Sequence, residues 1–336
     1  MCGITFILSK NKNNIIHNLL NSLELIQNRG YDSMGICYYN SKSNSYQIEK
    51  NASTNNKDCY ILLKNKILNK NILSHIALGH TRWATHGGKT DNNAHPHISQ
   101  NGKIILVHNG IINNFNILKA KLIKKKYKFN SETDSEVIAN LIEYYLIYMN
   151  NNIDNAIENT IKELEGTWAL VIIYTKEMDT YYITRKGSPL LLANNDNYII
   201  CTSETNGFVG LINDYISLND NTIIKISNND YNFLKSGYSE NYDIKKVLYE
   251  DIVDLSKSYK HWMLKEIMEQ PATIQKAYNY GGRIENNIIK LGGLDRINNI
   301  INYIEYILLI GCGTSYNAAL IGENYLKNNN KFKIIK

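Results

Sequence analysis

The stretch from 167 to about 227 constrains the fold most, because it consists of short β-rich runs separated by turn residues. These runs are WALVIIY, TYYIT, LLLA, YIICT and TIIKI. Upstream, apolar residues recur at helical spacing, for example over 16–26 and 138–149, and residues 4–8 and 35–39 have the character of strands. Several helices combined with many strands that need not be parallel predict a layered α+β domain over about the first 230 residues.

The remainder of the chain is organised differently. A polar stretch from about 228 to 260 is typical of a linker, and the segment after it, HWMLKEIMEQPATIQKAY, is predicted to be helical with a break or kink at Pro271. Residues 303–310 predict a buried strand that enters GCGTSYNAAL, a glycine turn leading into a helix. One strand and one helix cannot bury their apolar faces alone. We therefore expect the chain to end inside a second domain.

Charge and cysteine usage narrow the class of protein. The net charge of +6 is modest, and the basic run at 124–126 follows an amphipathic stretch, which favours a solvated helix face over a nucleic-acid site. The five cysteines are widely spaced without a CxxC pair, which favours a reducing compartment over a disulfide framework. The sequence shows neither a signal peptide nor an apolar stretch long enough to span a bilayer. We expect a soluble cytoplasmic protein with no nucleic-acid or membrane partner.

Cys2 follows the initiator Met1 directly, and two interpretations of it are open. It can be a small apolar residue at a tolerant terminus. If Met1 is removed, its thiol lies beside a free α-amine, and an α-amine with an ordinary pKa of roughly 7.7–8.0 is a usable base at neutral pH. Nucleophile and base then share one residue. The segment HNG after a predicted strand offers the Asn109 side chain and the Gly110 backbone N–H as adjacent oxyanion-hole donors.

Six of the eight histidines fall between His75 and His108, which raises the question of a metal site. No standard ligand spacing is present, and polar residues interleave with the histidines, so no metal is predicted. A pocket for a small zwitterion fits better. Arg82 could clamp a carboxylate, and Asp134, in the first turn of a helix that a Thr133–Glu136 capping box should start, could hold an ammonium group. A structural ion pair is the alternative for each.

Nine short segments follow one another in a fixed order along the chain. They are Cys2-Gly3-Ile4, RGYDS (29–33), HTRWATHG (80–87), NAHPH (93–97), HNGII (108–112), SETDSE (131–136), KGSPL (186–190), KEIMEQP (265–271) and GCGTSYNA (311–318). Together they resemble the glutamine amidotransferases of class II, in which the N-terminal residue is the nucleophile. Within that class, the last three segments support a resemblance to the glutamine–fructose-6-phosphate aminotransferases.

The resemblance implies a role for each matching residue. Cys2 would attack the carboxamide of L-glutamine, with its own amine as general base and with Asn109 and Gly110 as the oxyanion hole. Arg29 would lie in the loop that supports the nucleophile, and Trp83 in a mobile loop that covers glutamine. No cofactor or metal is implied. The α-amino and α-carboxylate groups of glutamine would be held by Arg82, Thr85, His86 and Asp134. A sugar-phosphate loop would contain Thr314 and Ser315.

The resemblance also implies an architecture. Residues 2–236 would form a four-layer αββα glutaminase domain of the N-terminal-nucleophile class, residues 237–261 a linker, and residues 262–336 the truncated start of an α/β sugar-isomerase (SIS) domain. The polar segment 40–72 has weak order signals and is expected to be a surface insertion. The full-length protein would be a homo-oligomer.

The implied parent activity transfers the amide nitrogen of glutamine to fructose 6-phosphate, which gives glucosamine 6-phosphate and glutamate. The isomerase part that the resemblance requires is incomplete, so this chain alone is expected to perform only the glutaminase half. Two alternatives stay open: an amidotransferase with another acceptor, and a non-catalytic sensor of glutamine or of a sugar phosphate. The intact set Cys2, Arg82, Asn109, Gly110 and Asp134 argues against a sensor.

Overall fold

A computed structural model describes residues 2–54, 57–84, 87–150, 152–227, 229–234, 242–247, 259, 262–277, 284–285, 288–289, 300, 303–311, 313–328 and 333–335. The chain divides into two compact units, Met1–Val253 and Asp254–Lys336. Each unit is described separately below.

The first unit contains strands and helices in alternating groups. Its strands are β1 (Gly3–Ser9), β2 (Ser33–Asn40), β3 (Ser45–Ala52), β4 (Ile76–Arg82), β5 (His97–Ile98), β6 (Ile104–Ile112), β7 (Gly166–Tyr174), β8 (Tyr181–Lys186), β9 (Leu191–Asn194), β10 (Tyr198–Thr202), β11 (Asp214–Ser217), β12 (Ile223–Ser227), β13 (Asp230–Phe233) and β14 (Lys245–Lys246). Its helices are α1 (Ile16–Leu25), α2 (Cys59–Asn69), α3 (Phe115–Lys124), α4 (Ser135–Tyr148) and α5 (Ile153–Glu163), with 3₁₀ turns at Gln27–Arg29 and Thr205–Phe208.

The strands form two sheets. The eight-stranded sheet has the order β14-β11-β9-β10-β1-β4-β2-β3, and the six-stranded sheet has the order β13-β12-β8-β7-β6-β5. Every pairing in both sheets is antiparallel, and β1 lies between β10 and β4, with Ile4 opposite His80. The first residues of the chain therefore lie in the middle of a sheet rather than at its edge.

Three apolar cores show that the unit has four layers. One core lies between the two sheets and contains Phe6 and Val107. A second packs α3, α4 and α5 on the six-stranded sheet through residues such as Ile138, and a third packs α1 and α2 on the eight-stranded sheet through residues such as Leu23. The order helix, sheet, sheet, helix confirms the predicted α+β fold and its αββα layers.

Both faces of a central strand such as β6 are covered, which explains its continuous apolar run, because successive side chains point to opposite faces. In β6, Ile105 and Val107 face the other sheet, whereas Ile104 and Leu106 face the helices. Both faces are covered, so no position in the middle of the strand meets water. A continuous apolar run of this length is what such a strand requires.

The expectation of weak order over residues 40–72 is wrong. This segment contains the edge strand β3 and the helix α2, whose N-cap residue Asp58 accepts a hydrogen bond from the Tyr60 backbone N–H at 2.7 Å. Cys59, Leu63 and Ile67, spaced four residues apart, are buried against the eight-stranded sheet. The apolar stripe is narrow, and the surrounding Asn and Lys residues hide it in the composition.

The described part of the second unit contains two helices and two small pairs of strands. The helix α6 (Trp262–Ala277) includes Pro271, and β15 (Ile284–Glu285) pairs with β16 (Ile288–Ile289). The strand β17 (Tyr306–Leu308) is followed by α7 (Thr314–Asn328) and pairs in parallel with β18 (Lys333–Ile335). A strand and a helix therefore lie where they were predicted, but the expected burial of residues 303–310 is wrong: the strand spans only Tyr306–Leu308, and both of these residues are exposed. Cys312, in the predicted glycine turn, lies outside the described residues. Assignment of this unit to a sugar-isomerase domain, and the boundaries 2–236, 237–261 and 262–336, stay predictions.

Among the residues that the structure describes, no helix is both long enough and apolar enough to cross a membrane.

Two leucines on α2 test whether this helix belongs to the core. Leu63 is fully buried, so Leu63→Ala should lower the free energy of unfolding by about 2–5 kcal/mol, since the deletion leaves a cavity. Leu68 has 52% of its surface exposed, so Leu68→Ala should change that free energy by less than about 0.5 kcal/mol. Urea unfolding of both variants measures the difference. Equal effects of the two substitutions would mean that α2 does not pack as described.

Candidate active site

Cys2 is anchored by its backbone carbonyl. That oxygen accepts hydrogen bonds from Arg29 Nε at 2.9 Å and from Asn109 Nδ2 at 2.8 Å. Arg29 lies in the 3₁₀ turn after α1 and is itself paired with Glu204 at 3.2 Å, whereas Asn109 lies on β6. Donors from separate elements therefore fix the position of the residue that precedes β1.

The Cys2 thiol lies beside the backbone of Trp83. The sulfur is 3.3 Å from the Trp83 nitrogen, which donates to it, and 3.5 Å from the Trp83 carbonyl oxygen. Burial raises the pKa of the Cys2 thiol, although the Trp83 N–H and the positive charges of Arg82 and Arg29 act in the opposite direction. The thiol is therefore protonated at neutral pH and needs a base before it can act as a nucleophile.

An open pocket adjoins the thiol. Five residues predicted for the site contribute to its wall: Cys2, Arg82, Trp83, Gly110 and Asp134. His95, His108, Thr133 and Ser135 complete the lining. A thiol, a cation and an anion thus line one pocket, which is the arrangement expected for a zwitterionic substrate.

The other predicted residues are placed as follows. Arg29 and Asn109 lie behind Cys2 and contact its carbonyl oxygen. Thr85 and His86 lie outside the described residues. Thr314 and Ser315 belong to the second unit, where they begin α7 and are exposed.

Arg82 ends β4 and has only 3% of its surface exposed. Its Nη1 donates to the Gly88 carbonyl at 3.1 Å and its Nη2 to the Gly87 carbonyl at 3.4 Å. The guanidinium thus holds the far end of the loop that starts at Trp83. It also contributes to the wall of the pocket, where it can meet a carboxylate.

Asp134 is the N-cap residue of α4. Its Oδ2 accepts the Ile112 backbone N–H at 2.8 Å, which orients the carboxylate toward the end of β6. The predicted capping box does not form: the Glu136 carboxylate instead accepts hydrogen bonds from the backbone N–H of Asn130 and of Ser131. Because the helix starts one residue later than predicted, Asp134 rather than Thr133 is its cap.

Asn109 uses its whole side chain in this structure. Its Oδ1 lies 3.0 Å from His80 Nε2, and its Nδ2 donates to the Cys2 carbonyl at 2.8 Å and to Ser203 Oγ at 3.0 Å. Both hydrogens of the amide are therefore engaged, one of them with the Cys2 carbonyl. The role of Asn109 as an oxyanion donor stays a prediction.

Gly110 cannot be replaced by a residue with a side chain without moving the backbone. Its φ is +142°, and a Cβ atom would lie 2.1 Å from the Thr167 carbonyl oxygen. Gly30 is similarly confined, because a Cβ atom there would lie 2.4 Å from the Arg82 carbonyl carbon. Both glycines allow backbone segments near Cys2 to approach closely.

Two residues that hold the site were missed in the sequence. Asp32 accepts the Ala84 backbone N–H at 2.8 Å and pairs with Lys89 at 2.5 Å, so it connects both ends of the loop 84–89. Ser203 Oγ accepts the Ile4 backbone N–H at 2.7 Å as well as the Asn109 amide. Asp32 lies within RGYDS and could have been found there, whereas nothing in the local sequence distinguishes Ser203.

Four buried histidines lie together at this end of the sheets. The ring centroids of His80 and His95 are 4.0 Å apart, and those of His95 and His97 are 4.5 Å apart. Burial lowers the pKa values of all four histidines, that of His80 to about 3. The charge of Arg82 also lowers the pKa values of His80, His95 and His97, and the charge of Lys50 also lowers that of His97. All four are neutral at pH 7. No group of three or more ligating side chains among the described residues could hold a metal ion.

The histidine cluster predicts a loss of stability in mild acid. Unfolded histidines titrate near pH 6.5, so below that pH the unfolded chain binds more protons than the folded one. The stability that the neutral rings contribute is present above about pH 6.5 and is lost as the pH falls, by up to about 1.4 kcal/mol per pH unit for each ring. Urea unfolding between pH 7.5 and 5.5 measures this slope.

Two substitutions make this prediction specific. His97→Leu removes one buried ring and should reduce the slope by up to about 1.4 kcal/mol per pH unit. His17→Leu, at an exposed position of α1, should leave it unchanged. An unaltered slope in His97→Leu would contradict the assignment of a neutral buried ring.

Comparison with known proteins agrees with this geometry. Residues 80–210 match the family described as glutamine amidotransferase domain. The chain is 34% identical over 331 residues to a protein of Acanthamoeba polyphaga mimivirus named probable glutamine--fructose-6-phosphate aminotransferase (isomerizing), with 97% of this chain and 52% of that protein covered. A Pyrococcus horikoshii protein of the same name, without "probable", is 33% identical over 339 residues, with 100% of this chain and 53% of that protein covered. The chain thus spans about half the length of these relatives.

Solved structures show the same fold. The structure of glutamine phosphoribosylpyrophosphate amidotransferase from B. subtilis in complex with ADP and GMP superposes with a TM-score of 0.58 at 20% identity. The superposition covers 72% of this chain and 50% of the amidotransferase chain. At this level of identity the likeness shows the arrangement of helices and sheets.

Proposed function

We propose that this chain is a class II glutamine amidotransferase and that it hydrolyses the carboxamide of L-glutamine with Cys2 as the nucleophile. The observation that carries the proposal is the pocket in which the Cys2 thiol, the Arg82 guanidinium and the Asp134 carboxylate meet. The products are glutamate and ammonia.

The pocket supports recognition of a free α-amino acid. Arg82 supplies a bidentate donor for the α-carboxylate, and Asp134, fixed by the Ile112 N–H, supplies an acceptor for the α-ammonium group. Thr85 and His86 are proposed to add contacts to the same groups. Trp83 lies on the wall of the pocket with 42% of its surface exposed and is proposed to cover the bound substrate.

The raised pKa of the Cys2 thiol sets the first chemical step. Once Met1 is removed, the α-amine of Cys2 accepts the thiol proton while the sulfur attacks the carboxamide carbon. The carbonyl electron pair moves onto oxygen, and the Gly110 N–H is proposed to stabilise it together with an N–H of Asn109 that turns from its present partners. The protonated amine returns its proton to the leaving nitrogen, ammonia departs, and water hydrolyses the thioester to glutamate.

The acceptor of the nitrogen is proposed from the relatives. Both are named as acting on fructose 6-phosphate, and the match covers at least 97% of this chain. Thr314 and Ser315, which follow the glycine turn at the start of α7, are proposed as part of a sugar-phosphate loop. We propose a homo-oligomeric, cytoplasmic enzyme; the described cysteines Cys2, Cys37, Cys59 and Cys201 are free thiols, which supports a reducing compartment.

Cys2→Ala tests the nucleophile. It should abolish formation of glutamate from glutamine and leave glutamine binding intact, because Arg82 and Asp134 remain in the pocket. Cys59→Ala, a buried thiol whose pKa burial raises to about 11, is the matched control and should keep full activity. Glutamate release gives the rate, isothermal calorimetry the binding, and intact mass the removal of Met1. Normal turnover of Cys2→Ala, or of protein that retains Met1, would refute the mechanism.

An acceptor assay tests the second half of the activity. In the described part of the second unit, α7 has no buried residue, so the loop at Thr314 and Ser315 is not enclosed by other groups. Orientation of a sugar requires contacts from several elements. With glutamine and fructose 6-phosphate we therefore expect this 336-residue chain to release glutamate without glucosamine 6-phosphate. Equal rates for both products would overturn this expectation.

A further inference from the structure

We infer that His80 is a positioning residue that fixes the direction of the Asn109 side-chain amide, and so keeps its two N–H bonds on the side of Cys2. The inference rests on the proposed function for its catalytic consequence, but its structural part stands on hydrogen bonds alone. His80 lies on β4, opposite Ile4 of β1, and its side chain is fully buried.

The neighbours of His80 Nε2 determine which nitrogen carries the hydrogen. Nε2 is 3.2 Å from the His108 carbonyl oxygen and 3.0 Å from Asn109 Oδ1. A backbone carbonyl can only accept, so Nε2 must be the protonated nitrogen. A protonated Nε2 in turn requires the oxygen of the Asn109 amide, not its nitrogen, on the facing side. The His108 carbonyl thus determines the tautomer of the His80 ring, and this tautomer determines the orientation of the Asn109 amide.

The opposite orientation of the amide is unfavourable at both of its ends. It would place the NH₂ group of Asn109 against the Nε2–H of His80, donor against donor. It would also place Oδ1 against the Cys2 carbonyl oxygen, which is 2.8 Å from Nδ2 in the structure. A buried donor or acceptor that is left without a partner destabilises the arrangement that contains it. The Nε2–H of His80 and the Cys2 carbonyl therefore favour the same one of two amide orientations, which the shape of the side chain does not distinguish.

His80 keeps this role over a wide pH range because it stays neutral. The pKa of His80 is lowered to about 3, mainly by burial; the charge of Arg82 acts in the same direction, and the hydrogen bonds to His108 and Asn109 act in the opposite one. The ring faces His95, which is also neutral, at a centroid distance of 4.0 Å. A neutral ring protonated on Nε2 leaves Nδ1 without a hydrogen, and Nδ1 has no partner among the described residues.

The catalytic consequence concerns kcat rather than KM. Asn109 supports the Cys2 carbonyl and is proposed to turn an N–H toward the oxyanion; an inverted amide can do neither. The described hydrogen bonds of the His80 ring go to the His108 carbonyl and Asn109 Oδ1, whereas those of Arg82 and Asp134, proposed to bind the substrate, go to other groups. Removal of the Nε2–H should therefore reduce turnover without weakening the binding of glutamine.

Three variants test this. His80→Leu should reduce kcat for glutamine hydrolysis by about 10²-fold, the effect of losing one oxyanion donor, with KM unchanged. His80→Gln, whose side-chain amide can replace the Nε2–H, should restore most of kcat. His97→Leu removes another ring of the same cluster without touching Asn109 and should change only stability. Urea unfolding confirms that each variant is folded at the pH of the assay.

A double substitution shows whether His80 acts through Asn109. If it does, His80→Leu combined with Asn109→Ala should be no slower than Asn109→Ala alone. Multiplication of the two losses would overturn the inference, as would a normal kcat for His80→Leu in an assay where the wild type is active.

Nitrogen-15 NMR of the histidine rings decides the inference even if the wild type hydrolyses no glutamine, which would refute the proposed function. The His80 ring should show the neutral form with hydrogen on Nε2 from pH 5 to 8. A ring protonated on Nδ1, or a charged ring at pH 6, would overturn the inference and leave the proposed function to the Cys2→Ala result.

Discussion

The carbonyl oxygen of Cys2 accepts hydrogen bonds from Arg29 and Asn109, and the geometry of the pocket depends on this pair of contacts. A chain terminus normally frays, because few contacts oppose its conformational entropy. Here one donor comes from the turn after α1 and the other from the six-stranded sheet, so the terminal residue is held by both halves of the sandwich. The sulfur can therefore be positioned relative to Arg82 and Asp134 with little freedom of its own.

The same end of the molecule combines many buried polar groups with few charges. His80, His95, His97 and His108 are neutral, and Arg82 is the cation that the pocket retains. A neutral wall avoids the cost of burying several like charges, and it leaves the guanidinium as the main attraction for a carboxylate. The accompanying drawback is an acid-sensitive fold, because each ring gains a proton on unfolding.

Many of the strands and site residues could be predicted from the sequence, because the patterns that reveal them lie within short segments. The strands β1, β4 and β6 are recognisable because both faces are covered, and Asn109 and Gly110 follow directly from HNG at the end of an apolar run. His80 and Ser203 could not be assigned, because their roles depend on strand register. Pairing of Ile4 with His80 on one side and of Thr5 with Thr202 on the other brings these residues to Cys2 from positions far apart in the chain. Periodicity within a segment contains no information about such pairings. The helix α2 was missed for a different reason: its narrow apolar stripe is a local signal, but the polar composition of the surrounding segment concealed it.

The edge position of β3 has a consequence for solubility. An exposed edge strand offers unpaired N–H and C=O groups to a second molecule, and such edges promote association of one chain with another. On β3, Glu49 is paired with Lys66 at 2.7 Å and also with Lys70, both from the α2 region. These ion pairs place charged side chains of α2 beside the edge strand, and charged residues, lysines above all, disfavour pairing of such an edge with another chain. The Asn- and Lys-rich segment 40–72 thus gives the open side of the larger sheet a surface that disfavours aggregation.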